Sequence, residues 1–321
     1  MPIQYYNANG KKDNHPHISV VIPIYECELF IEELYDRLVT QIEKITKNFE
    51  IVMVEDCGED GSWGIIKKLS NQDGRVKGIQ FSRNFGQHYG ITAGLDHCMG
   101  DWVVVMDGDL QDRPEEIPGL YAKAQEGFDI VLARRVQRQD PVIQKLFSRV
   151  FYRVFNYLTG MNYDPRVGNF RILSKKVVAN YCNMKEQLRF FGGLVDWLGF
   201  STAYIDIYHD RRFSGKSSYT LKKRWKLAFE AIIAYSDKPL KLSVQLGFLM
   251  SILAFCYGTY VVYSVIFRGI DIQGWSSLIV SIYFIGGVII ANLGIIGIYL
   301  GKTFDEVKNR PLYIIKERIN V

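Results

Sequence analysis

Four residues within one short stretch carry the chemistry that the sequence makes most readable. In residues 101–114, DWVVVMDGDLQDRP, an apolar run from Trp102 to Met106 ends abruptly in Asp107-Gly108-Asp109, with Gln111 and Asp112 just behind. The run is rich in valine and unbroken, which suits a strand buried on both faces of a parallel sheet. Two carboxylates then sit at the carboxyl end of a buried strand, where open α/β sheets bind ligands. Asp107 and Asp109 are two apart in an extended segment and can turn to one side. Gly108 is read as the point where backbone and ligand come close. Two carboxylates and the Gln111 amide suit Mg²⁺ or Mn²⁺ that is also held by substrate phosphates. The pattern alone also suits a plain acidic turn. A calcium loop of the EF-hand kind is excluded, because Asp112 and Pro118 stand where its glycine and closing glutamate belong.

The elements that must position these residues follow from the apolar pattern. Strands are expected at Ile18–Tyr25, Phe49–Val54, Val76–Phe81, Trp102–Met106 and Asp129–Ala133. Helices are expected at Leu29–Ile45, Trp63–Leu69, residues 88–99 and Pro114–Gln125, the last opened by proline and closed by Gly127. Strands alternating with helices at this spacing predict an α/β domain with a mostly parallel, Rossmann-like sheet and flanking helices. Tyr25, Asp56, Arg83, Asp107, Asp109 and Arg135 then stand at strand ends on one rim. Asp56 suits either a hydrogen-bond acceptor for a nucleobase or a helix N-cap.

Composition narrows the class. The chain has 321 residues and a formal charge of +5 from 39 Lys and Arg against 34 Asp and Glu. So mild an excess gives no reason to expect a nucleic-acid partner. Cys27, Cys57, Cys98, Cys182 and Cys256 are scattered and odd in number, which argues against a disulfide framework or zinc site and for a reducing compartment. Residues 1–17 are polar, lack an apolar core and read as a flexible tail with no signal peptide.

The last third is different. Leu242–Phe267 and Ser276–Gly301 carry no charged residue. Each exceeds the roughly 20 residues needed to cross a bilayer as a helix, so residues 242–301 are expected to form a transmembrane hairpin. Lys222, Lys223, Arg224, Lys226, Lys238 and Lys241 precede it and Lys302, Lys308 and Arg310 follow, whereas the turn between holds one basic residue. By the positive-inside rule both flanks, and the α/β domain with them, lie in the cytoplasm, with a tail at 302–321. Residues 219–241 read as a juxtamembrane amphipathic segment. Residues 141–160 have an apolar stripe flanked by Lys145, Arg149 and Arg153, which suits a core helix or an interfacial one. A soluble phosphorylated donor and a lipid acceptor fit this layout. Arg135, Arg171, Arg189, Arg211, Arg212 and Lys216 offer partners for a lipid phosphate.

At this point the chain resembles the family-two, GT-A-type glycosyltransferases, and among them the polyprenyl-phosphate glycosyltransferases. That group includes dolichol-phosphate mannose synthases and bactoprenol glucosyltransferases. The resemblance rests on SVVIPIY (19–25), VMVED (52–56), FSRNFG (81–86), MDGDLQDRPE (106–115), NFRILSKKVV (169–178), GKSSY (215–219) and GIIGIYLGKTFDEVKNRPLY (294–313). It implies a GT-A catalytic domain over 18–218, and a metal, Mg²⁺ or Mn²⁺, held with the donor diphosphate by Asp107, Asp109 and Gln111. It implies a nucleotide-sugar pocket lined by Pro23, Tyr25, Glu26, Asp56, Asn84 and Asp107. It puts Arg135 and Arg171 on the acceptor-phosphate side, joined by Arg212 and Lys216, and makes Asp109, Arg135 and Arg171 the catalytic set. The implied reaction is inverting transfer of one hexose, from a UDP-sugar first among nucleotide sugars, to a polyprenyl phosphate such as undecaprenyl phosphate. A lipid-linked saccharide or polysaccharide is the alternative acceptor. The implied setting is cell-envelope glycan synthesis at the inner membrane, with both termini cytoplasmic and a homo-oligomer in keeping with the resemblance. Three departures stand out: Glu26-Cys27 where the family often has Asn-Glu, Glu55-Asp56-Cys57-Gly58 for Asp-Asp-Gly-Ser, and Asn169 where an Asp often precedes Phe-Arg.

Overall fold

The structure, a computed structural model, describes residues 16–135, 153, 156–158, 160, 164, 166–207, 236–268 and 274–321. Most of the stretch 141–160, the basic cluster at 222–226, Arg211, Arg212 and Lys216 lie outside the described residues. The described elements are β1 (Ile18–Ile24), α1 (Ile31–Ile42), β2 (Phe49–Glu55), α2 (Ser62–Gln72), β3 (Val76–Phe81), α3 (Gln87–His97), β4 (Trp102–Val105), α4 (Ile117–Ala124), β5 (Ile130–Arg135), β6 (Val167–Ser174), α5 (Lys175–Asn183), α6 (Phe191–Trp197), β7 (Thr202–Ile207), α7 (Lys238–Arg268), α8 (Trp275–Val307) and β8 (Ile315–Ile319). They fall into two compact units. One holds the described parts of Met1–Tyr152, Met161–Ser218 and Arg310–Val321, and the other those of Arg153–Gly160 and Tyr219–Asn309.

The first unit is built on one 8-stranded sheet in the order β7-β5-β6-β4-β1-β2-β3-β8. β1 and β2 are wholly buried, as their unbroken apolar runs require of strands covered on both faces. β1 pairs in parallel with β2 and β4, β2 with β3, and β5 with β7. β6 runs against β4 and β5, and β8 against β3, so the sheet is mixed, with all strands but these two pointing one way. Ile31, Leu34, Leu38 and Ile42 recur at helical spacing and turn one face of α1 onto the sheet. The helix expected from Pro114 opens as a 3₁₀ turn over Pro114–Glu116 before α4 begins.

Both antiparallel strands are additions to the sequence reading. β6 contains NFRILS, where Phe170 and Ile172 pack into the core while Arg171 takes the opposite face. β8 comes from the C-terminal stretch that reads as a tail. It is short and three of its five residues are exposed, which is how edge strands avoid further pairing. Side chains lock it in place. Trp63 Nε1 donates to Glu317 at 2.9 Å, and Asn320 Nδ2 donates to the carbonyls of Ser70 and Val76 at 2.9 and 3.0 Å. Tyr313 stacks on Phe81 and donates to Asp96 at 2.8 Å.

In the second unit α7 and α8 are both long and apolar enough to cross a membrane, with mean hydropathies of 1.6 and 2.0 over their candidate spans. Phe248, Phe255, Ile290 and Leu300 are among many large apolar side chains left exposed along them. Polar contacts pin the pair as an antiparallel hairpin. The Ser243 hydroxyl meets the Asn292 amide oxygen, and the Tyr299 hydroxyl donates to the Ser236 carbonyl at 2.7 Å.

Removing residues 314–321 uncovers the β3 edge and leaves Trp63 without its acceptor. The truncated protein is expected to melt at least about 5 °C lower, as a loss of a few kcal/mol does in a domain of this size. An unchanged melting temperature would show that β8 contributes nothing to the sheet.

Candidate functional site

The parallel strands bring their carboxyl ends to one rim. Tyr25 follows β1, Asp56 follows β2, the loop Ser82–Gly86 follows β3, Asp107 follows β4 and Arg135 ends β5. Because β6 runs the other way, it is its first residues, Gly168 and Asn169, that reach this rim. The expected rim residues therefore stand along one edge of the sheet.

The Asp107–Asp112 segment is a tight turn with three carboxylates. Leu110 adopts a left-handed backbone, φ 59°, and is buried in the core, which anchors the turn from beneath. The Gln111 N–H donates to Asp109 Oδ1 at 3.2 Å, the self-closing contact expected of an aspartate turn. Asp112 is fully buried. Its Oδ1 accepts from Arg135 Nη2 at 3.3 Å and its Oδ2 from the Asp107 N–H at 3.4 Å. Asp107 Oδ1 accepts from Gln87 Nε2 at 2.7 Å and from Asn169 Nδ2 at 3.1 Å. Burial, reinforced by the Asp112 carboxylate, pushes the Asp107 carboxyl up to about 7, against the pull of Asn169 and Arg135.

Glycine serves packing here. A Cβ on Gly108 would lie 2.7 Å from Ile24 Cδ1, so its absence lets the turn close against the end of β1. A Cβ on Gly168 would lie 2.9 Å from Arg135 Nη2, so this glycine lets the guanidinium cross the start of β6.

On the β1–β3 side, Asp56 does not cap α2, whose N-cap is Gly61. Its two carboxylate oxygens accept the N–H groups of Phe85 and Gly86 at 2.7 and 2.8 Å, fastening the loop that carries Asn84. Burial raises the Asp56 pKa despite both bonds. Glu28 is committed to the start of α2, accepting the Gly61 N–H at 3.0 Å, which leaves Glu26 beside the exposed Tyr25. The hydrogen bond to Glu26 raises the Tyr25 pKa. Pro23 is buried below Tyr25, and Arg83 lies over the Phe85 ring at 4.1 Å.

The arginines divide. The Arg135 side chain is 33 % exposed on the rim. Arg171 is 3 % exposed and donates to the carbonyls of Asn169 and Gly168 at 3.2 and 2.8 Å, bracing the start of β6. Arg189 is also buried, bound to Thr92 and Met184. Burial and these two guanidiniums push His88 down to about 4, so it is neutral at pH 7. Arg212 and Lys216 lie outside the described residues.

Among the described residues no three His, Cys, Asp or Glu side chains form a self-sufficient metal cage. Asp107 and Asp109 nevertheless fit a hard divalent cation that takes its other ligands from substrate phosphates. Asp112, tied to Arg135, is spoken for. Gln87, Asp112 and Asn169 are the rim residues that sequence reasoning left without a role. Asp112 had a visible signal in its place just behind Asp107 and Asp109, and Asn169 in its departure from the Asp that often precedes Phe-Arg.

The raised Asp107 pKa has a measurable cost. The folded protein keeps this proton up to about pH 7, while the unfolded chain loses it near pH 4. Stability from this group is therefore full below about pH 4 and drains as pH rises through 7. Without divalent cations, Asp107→Asn is expected to stabilise the protein by at least about 1 kcal/mol at pH 8, the gain vanishing toward pH 4. Thermal melts across pH test this, and a variant less stable than the parent at pH 8 would contradict it.

Comparison with known proteins gives the site its setting. Residues 19–181 match Glycosyl transferase family 2. An uncharacterised glycosyltransferase of Bacillus subtilis is 39 % identical over 308 residues, covering 96 % of this chain and 95 % of the relative. A prophage bactoprenol glucosyl transferase homologue of Escherichia coli K12 is 36 % identical over 301 residues, covering 93 % and 98 %. The bactoprenol glucosyl transferase of Shigella phage SfX is 35 % identical over 303 residues, covering 94 % and 99 %. In fold, the crystal structure of mannosyl-3-phosphoglycerate synthase from Rubrobacter xylanophilus superposes with a TM-score of 0.52 at 15 % identity, covering 72 % of this chain and 75 % of that one. The chain belongs to glycosyl transferase family 2 and is a glycosyltransferase with a GT-A fold.

Proposed function

We propose that this enzyme transfers a single hexose, with inversion, from a nucleotide sugar to a membrane polyprenyl phosphate. A UDP-sugar is the favoured donor, undecaprenyl phosphate the favoured acceptor, and cell-envelope glycan synthesis the setting. One observation carries the reading: relatives named bactoprenol glucosyl transferase align along nearly the whole chain, apolar hairpin included, and not over the catalytic unit alone.

The rim geometry supports a division of labour. Pro23, Tyr25, Glu26 and Asn84 line the nucleotide side, and Asp56 acts there by holding the Asn84 loop in place. Asp107, Asp109 and Gln111 would hold Mg²⁺ or Mn²⁺ against the donor diphosphate. That cation would neutralise the charge growing on the leaving group. Arg135 sits on the same rim with Asp112 fixing its guanidinium, and it is the described arginine best placed for the acceptor phosphate. Arg171 then contributes by bracing β6.

A lipid phosphate is already largely ionised at neutral pH, since phosphate monoesters lose their second proton near pH 6. It needs no general base. Its oxygen attacks the anomeric carbon, the bond to the donor diphosphate breaks with its electrons, and the nucleoside diphosphate leaves. One such displacement inverts the centre. The protein's work is placement and charge stabilisation.

The fold also supports the membrane arrangement. β8 follows the hairpin in sequence yet pairs with β3, so the chain must return to the side from which it left. Two crossings satisfy this. Lys238 and Lys241 before the hairpin and Lys302, Lys308 and Arg310 after it support a cytoplasmic catalytic domain, reached through the juxtamembrane segment.

Kinetics in nanodiscs test these assignments. Asp109→Ala is expected to lower kcat at least about a thousandfold, the scale on which lost charge stabilisation acts. EDTA is expected to abolish turnover reversibly. Arg135→Ala is expected to raise the KM for undecaprenyl phosphate about tenfold or more while leaving nucleotide-sugar KM within about twofold. An Arg135→Ala effect confined to the nucleotide sugar would contradict the acceptor assignment.

A further inference from the structure

We propose that Gln87 and Asn169 are positioning residues that fix Asp107, through two carboxamide hydrogen bonds to one carboxylate oxygen, for a nucleotide diphosphate and its cation. This rests on the diphosphate reading of the Asp107–Asp109 turn and extends it to two residues with no role in that reading.

The two amides come from separate elements. Gln87 opens α3 and Asn169 stands near the start of β6. Their donors reach the same Oδ1 of Asp107 at 2.7 and 3.1 Å. Two bonds from different directions hold a short side chain in one rotamer, which is what an inner ligand needs from its surroundings.

The residue type matters. Asp107, Asp109 and Asp112 already place three carboxylates within six residues of chain. At 169, where the family often has Asp, this chain carries a carboxamide that donates to Asp107 instead of adding a further negative charge, and a lysine or arginine at 87 would compete with the cation for Asp107. A carboxamide donates without changing the charge.

Both amides are themselves held. Asp56 accepts the N–H groups of Phe85 and Gly86, the residues just before Gln87. Arg171 donates to the carbonyls of Gly168 and Asn169. The nucleotide-side loop and the diphosphate turn are thereby joined through Asp56, Gln87 and Asp107.

The test measures Mn²⁺ binding in the presence of UDP, by electron paramagnetic resonance or calorimetry on the full-length protein, beside melting temperatures without metal. Gln87→Ala and Asn169→Ala are each expected to weaken Mn²⁺ binding about tenfold, as loss of a hydrogen bond to a charged group does. The double variant should lose less than the product of the two, because both bonds end on one oxygen. Metal-free melting should stay within about 2 °C of the parent, since both side chains are only half-buried. Parent-like Mn²⁺ affinity in both single variants, or losses that follow metal-free melting, would overturn the positioning role. Failure of the unsubstituted protein to bind Mn²⁺ with UDP would overturn the diphosphate reading and this role with it.

Discussion

Everything at the rim depends on how three carboxylates in one turn are kept apart and in place. Left to themselves, Asp107, Asp109 and Asp112 would repel, and burial would penalise the charge of two of them. The fold answers each differently. Asp112 is given Arg135. Asp107 is given two neutral amides and stays hard to ionise. Asp109 closes the turn on Gln111. Holding these groups together costs stability, and the proposed cation and diphosphate would offset that cost when they bind.

That turn can exist only because the sheet delivers it. β4 has four residues and is flanked by β1 and β6, so its end is fixed on both sides. β1 and β2 set the height of the rim by parallel pairing, and antiparallel β6 brings Gly168 and Asn169 up to it from the opposite direction. β8 closes the far edge and ties the C-terminal residues to the catalytic sheet. The unit that does the chemistry is thus completed by residues on both sides of the apolar hairpin.

The sequence makes the parallel core legible, because buried parallel strands are unbroken apolar runs that end in polar residues. Ile18–Ile24, Phe49–Glu55 and Val76–Phe81 are found within a residue or two of where the pattern puts them. β6 and β8 are not, since each alternates or is mostly exposed and gives no continuous run. The same limit applies at the site. Aspartates at strand ends announce themselves by type, and Asp107, Asp109 and Asp56 are all on the rim. The contacts within the protein do not announce themselves: Asp56 also holds the Phe85–Gly86 loop, Arg171 also braces β6, and Gly108 packs against Ile24. Gln87 is an ordinary amide in the sequence and Asn169 only a departure from a family Asp, and their hydrogen bonds to one oxygen of Asp107 show that they converge.

The identity of the lipid product decides whether the acceptor is a polyprenyl phosphate. Purified protein in nanodiscs would be offered undecaprenyl phosphate, or a lipid-diphosphate saccharide, with a panel of nucleotide sugars and Mg²⁺ or Mn²⁺. The lipids would then be read by mass spectrometry. The expected product is undecaprenyl phosphate carrying one added hexose, with release of a nucleoside diphosphate and no further extension. Hexose appearing only on the lipid-linked saccharide would contradict this expectation.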